Sequence, residues 1–257
     1  MKPIRILVPG DSQSKEAISI AIAYADEICK QQQGGVQEAI LFVPGKESVR
    51  STTISAAIGD QNAKKLQDGG LVLLPTGTPL RLETIRTLRW VSKQSVLISI
   101  YSDQKMLDQV DSVENLVGII AVPHIPDALK QWQRTWSPTV HGEATQSPIK
   151  LIQDPILEQA LLALTQSVNL SHSTLHPTDK EHSDSTLRIL RLHGHTDDPQ
   201  NIRSWLIQNG WQPTTANELE KLAQKIFSLK SKPRLQNPEV AQSRYEYWRS
   251  KASAKSQ

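Results

Sequence analysis

The chain has 257 residues and a mass of 28.6 kDa, enough for one large domain or two modest ones. Its apolar runs are far shorter than the roughly 18–20 residues of a membrane-spanning helix, and its N-terminus enters a strand pattern without the apolar core of a signal peptide. The single cysteine, Cys29, excludes an internal disulfide. These features predict a soluble, cytoplasmic protein with no membrane partner.

The net charge of +3 hides two regions of opposite sign. Nine of the 29 basic residues but only two of the 26 acidic residues lie between Lys221 and Gln257, which leaves 20 basic and 24 acidic residues in the rest. Such a basic segment, Lys221–Lys255, is a candidate contact for nucleic acid or an acidic partner. The alternative is a solvated terminal segment that contributes only solubility.

Short apolar runs alternate with helical patterns in the first half of the chain. The predicted strands are Ile4–Val8, Glu38–Val43, Leu71–Leu74, Val96–Tyr101 and Leu116–Val122. The predicted helices are Ala17–Cys29, Thr52–Leu66 with an interruption at Gly59, Leu80–Trp90, Lys105–Val110 and Pro126–Trp136. This alternation predicts a Rossmann-like α/β domain over residues 1–140, with a parallel sheet in a three-layer sandwich.

Four of the five apolar runs end at a proline: Pro9, Pro44, Pro75 and Pro123. Because proline lacks the backbone donor that a sheet ladder needs, it stops a strand. Four strands that stop in the same way predict one shared edge from which the βα loops emerge. In open α/β sheets the carboxyl edge is where ligands bind.

Glycines, small hydroxyl residues and a few charged groups follow the strand ends. They form the predicted ligand-binding set: Gly10, Asp11, Ser12, Ser14, Gly45, Lys46, Thr76, Gly77, Thr78, Ser102, Asp103 and His124. At helix starts such residues present backbone N–H groups to phosphate or carboxylate, which predicts a small anionic ligand, with a nucleotide as one candidate. The alternative is that they are ordinary helix caps. The cofactor stays unknown, since no Gly-x-Gly-x-x-Gly follows the first strand and no Walker A motif occurs.

The tripeptide Gly10-Asp11-Ser12 resembles the first sequence block of the SGNH (GDSL) hydrolases, and Asp179 and His182 have the spacing of their Asp-x-x-His pair. This resemblance implies a serine hydrolase in which Ser12 is the nucleophile, His182 the base and Asp179 the carboxylate that orients it. The alternative for Ser12 is a helix N-cap. The loop that corresponds to the family's oxyanion-hole asparagine reads Thr76-Gly77-Thr78-Pro79, without an asparagine.

A second resemblance covers the first 45 residues. Ile6–Asp11, followed by a serine-rich turn and an alanine-rich helix, resembles the opening of the universal stress proteins. It implies the same α/β fold and an aspartate, Asp11, that meets the adenine end of a nucleotide.

The pattern changes after Ser137–Ser147, which is predicted to be a linker. The predicted helices beyond it are Pro155–Val168, Thr186–Leu192, Pro199–Gln208 and Thr215–Phe227, with a polar loop at Ser171–Ser185. They predict a small all-α domain over residues 150–230. Residues 231–257 form a basic tail whose order the sequence leaves open, with a short helix at Glu246–Lys251 as one option.

Five histidines lie in this second half: His172, His176, His182, His193 and His195. No cysteine accompanies them and their spacing matches no zinc motif, so the prediction is a solvated polar region and no metal site.

Together these patterns predict a two-domain binding or adaptor protein without catalytic activity. The α/β domain is expected to sense a small anionic ligand, and the helical domain to dock a protein or nucleic-acid partner. Two alternatives stay open: an SGNH-like serine hydrolase that uses Ser12, and a structural interaction protein with no ligand.

Overall fold

The computed structural model describes residues 2–10, 14–32, 35–50, 53–144, 147–170 and 174–254. The chain divides into two compact units, Met1–Ser147 and Pro148–Gln257. The first unit is α/β and the second is helical, as the sequence predicts. No helix in the described ranges has the length and apolar character needed to cross a membrane.

The α/β unit is built on a seven-stranded sheet in the order β3-β4-β2-β5-β6-β1-β7. Its strands are β1 (Ile4–Leu7), β2 (Glu38–Val43), β3 (Val72–Leu73), β4 (Pro79–Thr84), β5 (Ser95–Ser102), β6 (Leu116–Pro123) and β7 (Thr139–Val140). All neighbouring strands pair in parallel except β3 and β4, which are antiparallel.

Helices cover both faces of this sheet, so the unit has three layers. One face carries α1 (Lys15–Gln31), α2 (Glu47–Arg50), α3 (Thr53–Ile58) and α4 (Asp60–Gln67), and the other carries α5 (Gln104–Asp111) and α6 (Lys130–Trp136). The central strand β5 is apolar on both sides: Val96 and Ile98 enter one core cluster, whereas Leu97 enters the other. A strand buried on both faces therefore appears in the sequence as a continuous apolar run.

The helix predicted at Leu80–Trp90 is wrong, because this segment begins with strand β4. Leu80 and Leu82 alternate with Arg81 and Glu83, a period of two that is typical of a strand. Leu80 is buried in the core, whereas Arg81 makes ion pairs with Glu83 and with Glu38 on the neighbouring strand β2.

Two further predictions near the end of this unit are corrected. Helix α6 begins at Lys130 and not at Pro126, because Asp127 has a left-handed backbone, with φ of 69°, that is incompatible with a helix. The predicted linker contains β7, which pairs in parallel with β1.

The described residues of the second unit form five helices: α7 (Pro155–Ser167), α8 (Pro177–Leu192), α9 (Pro199–Gln208), α10 (Pro213–Phe227) and α11 (Pro238–Ala254). A proline is the first residue of each of these helices. The N–H groups of the first turn have no hydrogen-bond partner within a helix, so the missing N–H of proline costs nothing there. Asp154 and Asp198 cap α7 and α9 by accepting backbone N–H bonds.

Most of the polar segment predicted to be a loop at Ser171–Ser185 belongs to α8, which starts at Pro177. The hydroxyls of Ser183 and Thr186 are buried and donate to the backbone carbonyls of Asp179 and His182, one turn earlier. Polar side chains that are satisfied within the helix can face the core, and for this reason the polarity of the segment was misleading.

Helix α11 occupies most of the segment whose order the sequence left open. Ala241, Trp248 and Ala252 are buried along one face of this helix, which packs against α7 and α8. The guanidinium of Arg244 lies 5.2 Å from the Trp248 ring centroid and donates to the hydroxyls of Ser185 and Thr186 on α8. Small residues, one tryptophan and an arginine thus form a face that hydropathy alone does not reveal.

Candidate functional site

The carboxyl ends of four central parallel strands, β1, β2, β5 and β6, lie at one edge of the sheet. Three of the four predicted proline stops are found there: Pro9 follows β1, Pro44 follows β2, and Pro123 ends β6. For these three prolines the predicted common edge is confirmed. We refer to it as the carboxyl edge.

The fourth stop, Pro75, is at the opposite edge. Strand β3 runs antiparallel to β4, and the turn between them, closed by the bond from Leu74 N to Thr78 O, lies where the parallel strands begin. Gly77, with φ of +85°, makes this turn. The expectation that Thr76, Gly77 and Thr78 sit at the carboxyl edge is therefore wrong, since the stretch is a hairpin turn and not a βα loop.

The length of the neighbouring strand shows that these threonines cannot share a small ligand with the carboxyl edge. Strand β4 has six residues, which spans about 20 Å. Thr76 instead donates through its N–H and its hydroxyl to Asp26 on α1, at 2.9 and 2.7 Å. Thr76 and Thr78 line a separate cavity of about 570 Å³ together with Cys29. Burial raises the pKa of the Cys29 thiol.

The most favourable position for a ligand at the carboxyl edge lies between β2 and β5. The connection after β2 leads to α2, α3 and α4 on one face, and the connection after β5 leads to α5 on the other. Loops that diverge in this way open a crevice at a switch point of the topology, where α/β sheets bind ligands. Gly45 and Lys46 follow β2 at this point; Ser102 is the last residue of β5, and Asp103 follows it.

An unusual backbone conformation marks the end of β5. Tyr101 has φ of 60°, a left-handed geometry that costs a non-glycine residue roughly 1–2 kcal/mol, and it lies where the β5–β6 register shifts. The ring of His124 meets the Tyr101 ring edge to face at 6.2 Å between centroids. The buried Ser102 hydroxyl donates to Ser99, at 2.9 Å to its carbonyl. Such strain is concentrated at functional sites, and no motif in the sequence announces it.

Several predicted ligand residues use their side chains as caps or contacts within the protein. Ser14 accepts from the N–H of Ala17 at the start of α1, and Asp103 accepts from that of Met106 at the start of α5. Gly10 has φ of +131° and so requires glycine. Asp11 and Ser12 lie outside the described residues.

The residues implied by the hydrolase resemblance belong to different units of the chain. Asp179 and His182 lie on α8 of the helical unit, whereas Ser12 belongs to the other unit and lies outside the described ranges. Burial, together with the positive charge of Arg244, lowers the pKa of His182. The Ser12 hypothesis therefore stays a prediction.

Two of the five histidines join a cluster that no pattern in the sequence indicates. His195 bonds through Nδ1 to the Asp154 carboxylate at 2.7 Å and through Nε2 to the Tyr245 hydroxyl at 3.0 Å. The His193 ring stacks on Tyr245 with 3.6 Å between centroids and 4° between planes. These residues come from the start of α7, the loop after α8, and α11, and no local spacing in the sequence connects them.

The histidines that the structure describes outside this cluster do not extend it into a metal site. His176 precedes Pro177 as the N-cap position of α8, with an extended backbone, and His172 lies outside the described residues. Within the ranges that the structure describes, no group of three histidine, cysteine, aspartate or glutamate side chains is arranged to hold a metal ion.

Comparison with known proteins gives a similarity that falls on the helical unit. Residues 153–249 match a family model described as a domain of unknown function (DUF1889). No curated protein and no solved structure matches the chain. The matched segment contains all four members of the histidine cluster, and over this range the chain is similar to a family whose description assigns no activity.

Proposed function

We propose that the protein is a binding protein whose α/β unit takes a small anionic ligand in the crevice between the ends of β2 and β5. The observation that carries the proposal is the strained Tyr101 backbone near the end of β5, at this switch point. Tyr101 lies beside His124, and the strand that precedes Lys46, β2, is the neighbour of β5 in the sheet. A backbone that costs free energy at the place where this architecture binds ligands supports a site there.

The chemistry of the crevice favours an anion. Lys46 is exposed and offers a point charge after β2. Beside it the carboxylate of Glu47 lies so close to Gly45 that a Cβ on the glycine would meet Oε1 at 2.5 Å. An anionic ligand would have to displace this exposed side chain, because two negative groups repel each other.

Binding fits the crevice better than catalysis. Ser102 donates to Ser99 and Asp103 caps α5, so these side chains are engaged within the protein. A nucleotide is one candidate, and the inferred chemistry, a phosphate or carboxylate group, is shared by many small anions.

The proposal is tested by thermal shift against phosphate, AMP, ATP and citrate. A ligand present at 100 times its Kd stabilises the folded state by about 2.7 kcal/mol. Lys46→Ala and His124→Ala are expected to weaken the response, whereas Lys64→Ala, a matched exposed lysine on α4, leaves it unchanged. A response that Lys46→Ala and His124→Ala do not alter would refute a site at this edge.

The helical unit supplies the docking half of the proposal. Arg249 and Lys251 are exposed on α11, within the basic segment Lys221–Lys255. Duplex DNA is the probe: salt-dependent retardation that Arg249→Ala and Lys251→Ala both weaken would support a nucleic-acid partner. DNA affinity that the two substitutions leave unaltered would exclude α11 as the contact.

A further inference from the structure

Asp154, His195 and Tyr245 form a continuous chain of hydrogen bonds, which we call the Asp–His–Tyr array. The Tyr245 hydroxyl lies 3.0 Å from His195 Nε2, and His195 Nδ1 lies 2.7 Å from Asp154 Oδ2. A hydroxyl within reach of an imidazole that is itself oriented by a carboxylate is the arrangement of an activated nucleophile.

The hydrogen-bond partners of Asp154 determine which way the array is polarised. Asp154 Oδ1 accepts from the backbone N–H groups of Ile156 and Leu157 at 2.8 and 3.2 Å. Burial raises the pKa of this carboxyl, but the bonds from His195 and these two amides outweigh it, so the net pKa is lowered. The ionised carboxylate only accepts, so Nδ1 carries the hydrogen and Nε2 of the neutral ring accepts from the Tyr245 hydroxyl.

The groups around the array leave His195 able to take a proton. Burial lowers the pKa of the stacked His193, and a proton on His195 would lower it further, so the neutral form of the His193 ring is favoured. On α11, Arg244 is turned to α8, where it donates to Ser185 and Thr186. The side chains of His195 and Asp154 are 18% and 29% exposed, which leaves the array open to solvent and to a substrate.

We propose that Tyr245 is the nucleophile of an acyl-transfer site, with His195 as its general base and Asp154 as a positioning residue. An uncharged ester is the substrate class, because the Arg244 guanidinium faces α8 and the stacked His193 ring adds an uncharged surface. This inference is independent of the anion site on the other unit.

The reaction has two balanced steps. The Tyr245 oxygen attacks the ester carbonyl while His195 Nε2 takes the phenolic proton; the ester C–O bond breaks, and the leaving alkoxide or phenoxide receives that proton. Water, deprotonated by His195, then attacks the O-acyl tyrosine, releases the carboxylic acid and restores the phenol.

Helix α11 contains a matched control for this nucleophile. Tyr247 is 54% exposed and thus more accessible than the half-buried Tyr245, and Lys251 lies over its ring at 5.6 Å. If exposure alone governed reactivity, Tyr247 would be acylated first. If the Asp–His–Tyr array governs it, Tyr245 is acylated first.

The experiment treats the full chain with p-nitrophenyl acetate and measures p-nitrophenolate release and the position of the acetyl group by peptide mass spectrometry. We expect acetylation of Tyr245 at least tenfold faster than of Tyr247. His195→Gln should slow it tenfold or more, since a positioned general base typically contributes about 10²–10⁴-fold. Tyr245→Phe should abolish the fast release, whereas Tyr247→Phe should retain it.

Asp154→Asn separates positioning from a purely structural role. Asparagine still accepts the two amide bonds that cap α7, so circular dichroism should show an unchanged helix content. The loss of charge should slow acetylation and move the acidic limb of its pH profile to lower pH. Equal labelling of Tyr245 and Tyr247, acetyl groups only on lysines, or release unaffected by Tyr245→Phe would overturn the proposal.

Discussion

At the scale of single residues, the carboxyl of Asp111 in the α/β unit is a group whose burial is costly. Its side chain is 2% exposed and accepts from Arg5 at 3.2 Å and from the Trp136 indole at 2.8 Å. Arg5 also lies over the Trp136 ring, 3.5 Å from the centroid. Burial raises the pKa of Asp111 to about 6, despite the attraction of Arg5, and it lowers the pKa of Arg5. Desolvation therefore exceeds the Coulomb gain of this pair.

This balance predicts how stability changes with pH. The pKa of Asp111 in the folded protein lies above its ordinary value of 3.8. The contribution of this carboxyl to the free energy of unfolding is therefore fully present below pH 3.8, and it is lost as the pH rises through about 6. Asp111→Asn removes that dependence. The difference in unfolding free energy between the Asp111→Asn variant and the natural protein should rise, in favour of the variant, by about 1–3 kcal/mol between pH 4.5 and 7.5. Urea denaturation at both pH values measures the change, and a constant or falling difference would contradict it.

At the scale of elements, α11 belongs to the folded helical unit. Trp248 is 2% exposed, and the helix packs on α7 and α8 although its apolar residues are few. A helix of low hydrophobicity is held here by one large ring and by the hydrogen bonds of Arg244 across α8.

Trp248→Ala tests this attachment. The substitution should cost about 3–5 kcal/mol of the unfolding free energy of the helical unit, as for other buried tryptophans. Tyr247→Ala, one position earlier and exposed, should cost under about 1 kcal/mol. Chemical denaturation followed by helix content compares the two, and similar costs would mean that α11 contributes little to the core.

The elements that could be predicted are those with a strong local pattern. The buried strands β2, β5 and β6 are continuous apolar runs, and α9 is bounded by a proline and an Asn-Gly turn. The errors arose where tertiary contacts outweigh composition. Strand β4 alternates polar and apolar residues beside an antiparallel edge, and α8 buries hydroxyls that bond to its own carbonyls.

The candidate sites also differ in whether a local sequence pattern or only a tertiary contact indicates them. The carboxyl edge could be predicted from the prolines that end β1, β2 and β6, because parallel strands share one edge. The antiparallel direction of β3 could not be predicted, since strand direction depends on pairing with other strands. Gly77, between the two threonines, is nevertheless a turn signal in the sequence. The Asp–His–Tyr array spans Asp154 to Tyr245, and only folding brings these residues together.

At the scale of the whole molecule, each unit has its own buried core. The α/β unit has apolar clusters on both faces of its sheet. Each of the five helices of the other unit contributes buried residues. A unit of this size that buries residues from every element meets the ordinary condition for folding alone.

We therefore expect a fragment of residues 148–257 to fold by itself. It should show a helical circular dichroism spectrum and a cooperative thermal transition. A shorter fragment, residues 148–230, lacks Trp248 and should melt at a lower temperature or without cooperativity. If 148–257 were unfolded while the full chain stays folded, the two units would depend on each other for stability.

The helical order of α11 also changes the thermodynamics of any contact that its basic residues make. A disordered basic arm loses backbone freedom when it settles on a polyanion, and this loss subtracts from its affinity. Arg249 and Lys251 are held at set intervals along a helix before any partner arrives. They would be selective for ligands whose negative groups repeat with a matching spacing, whereas a flexible arm adapts to many.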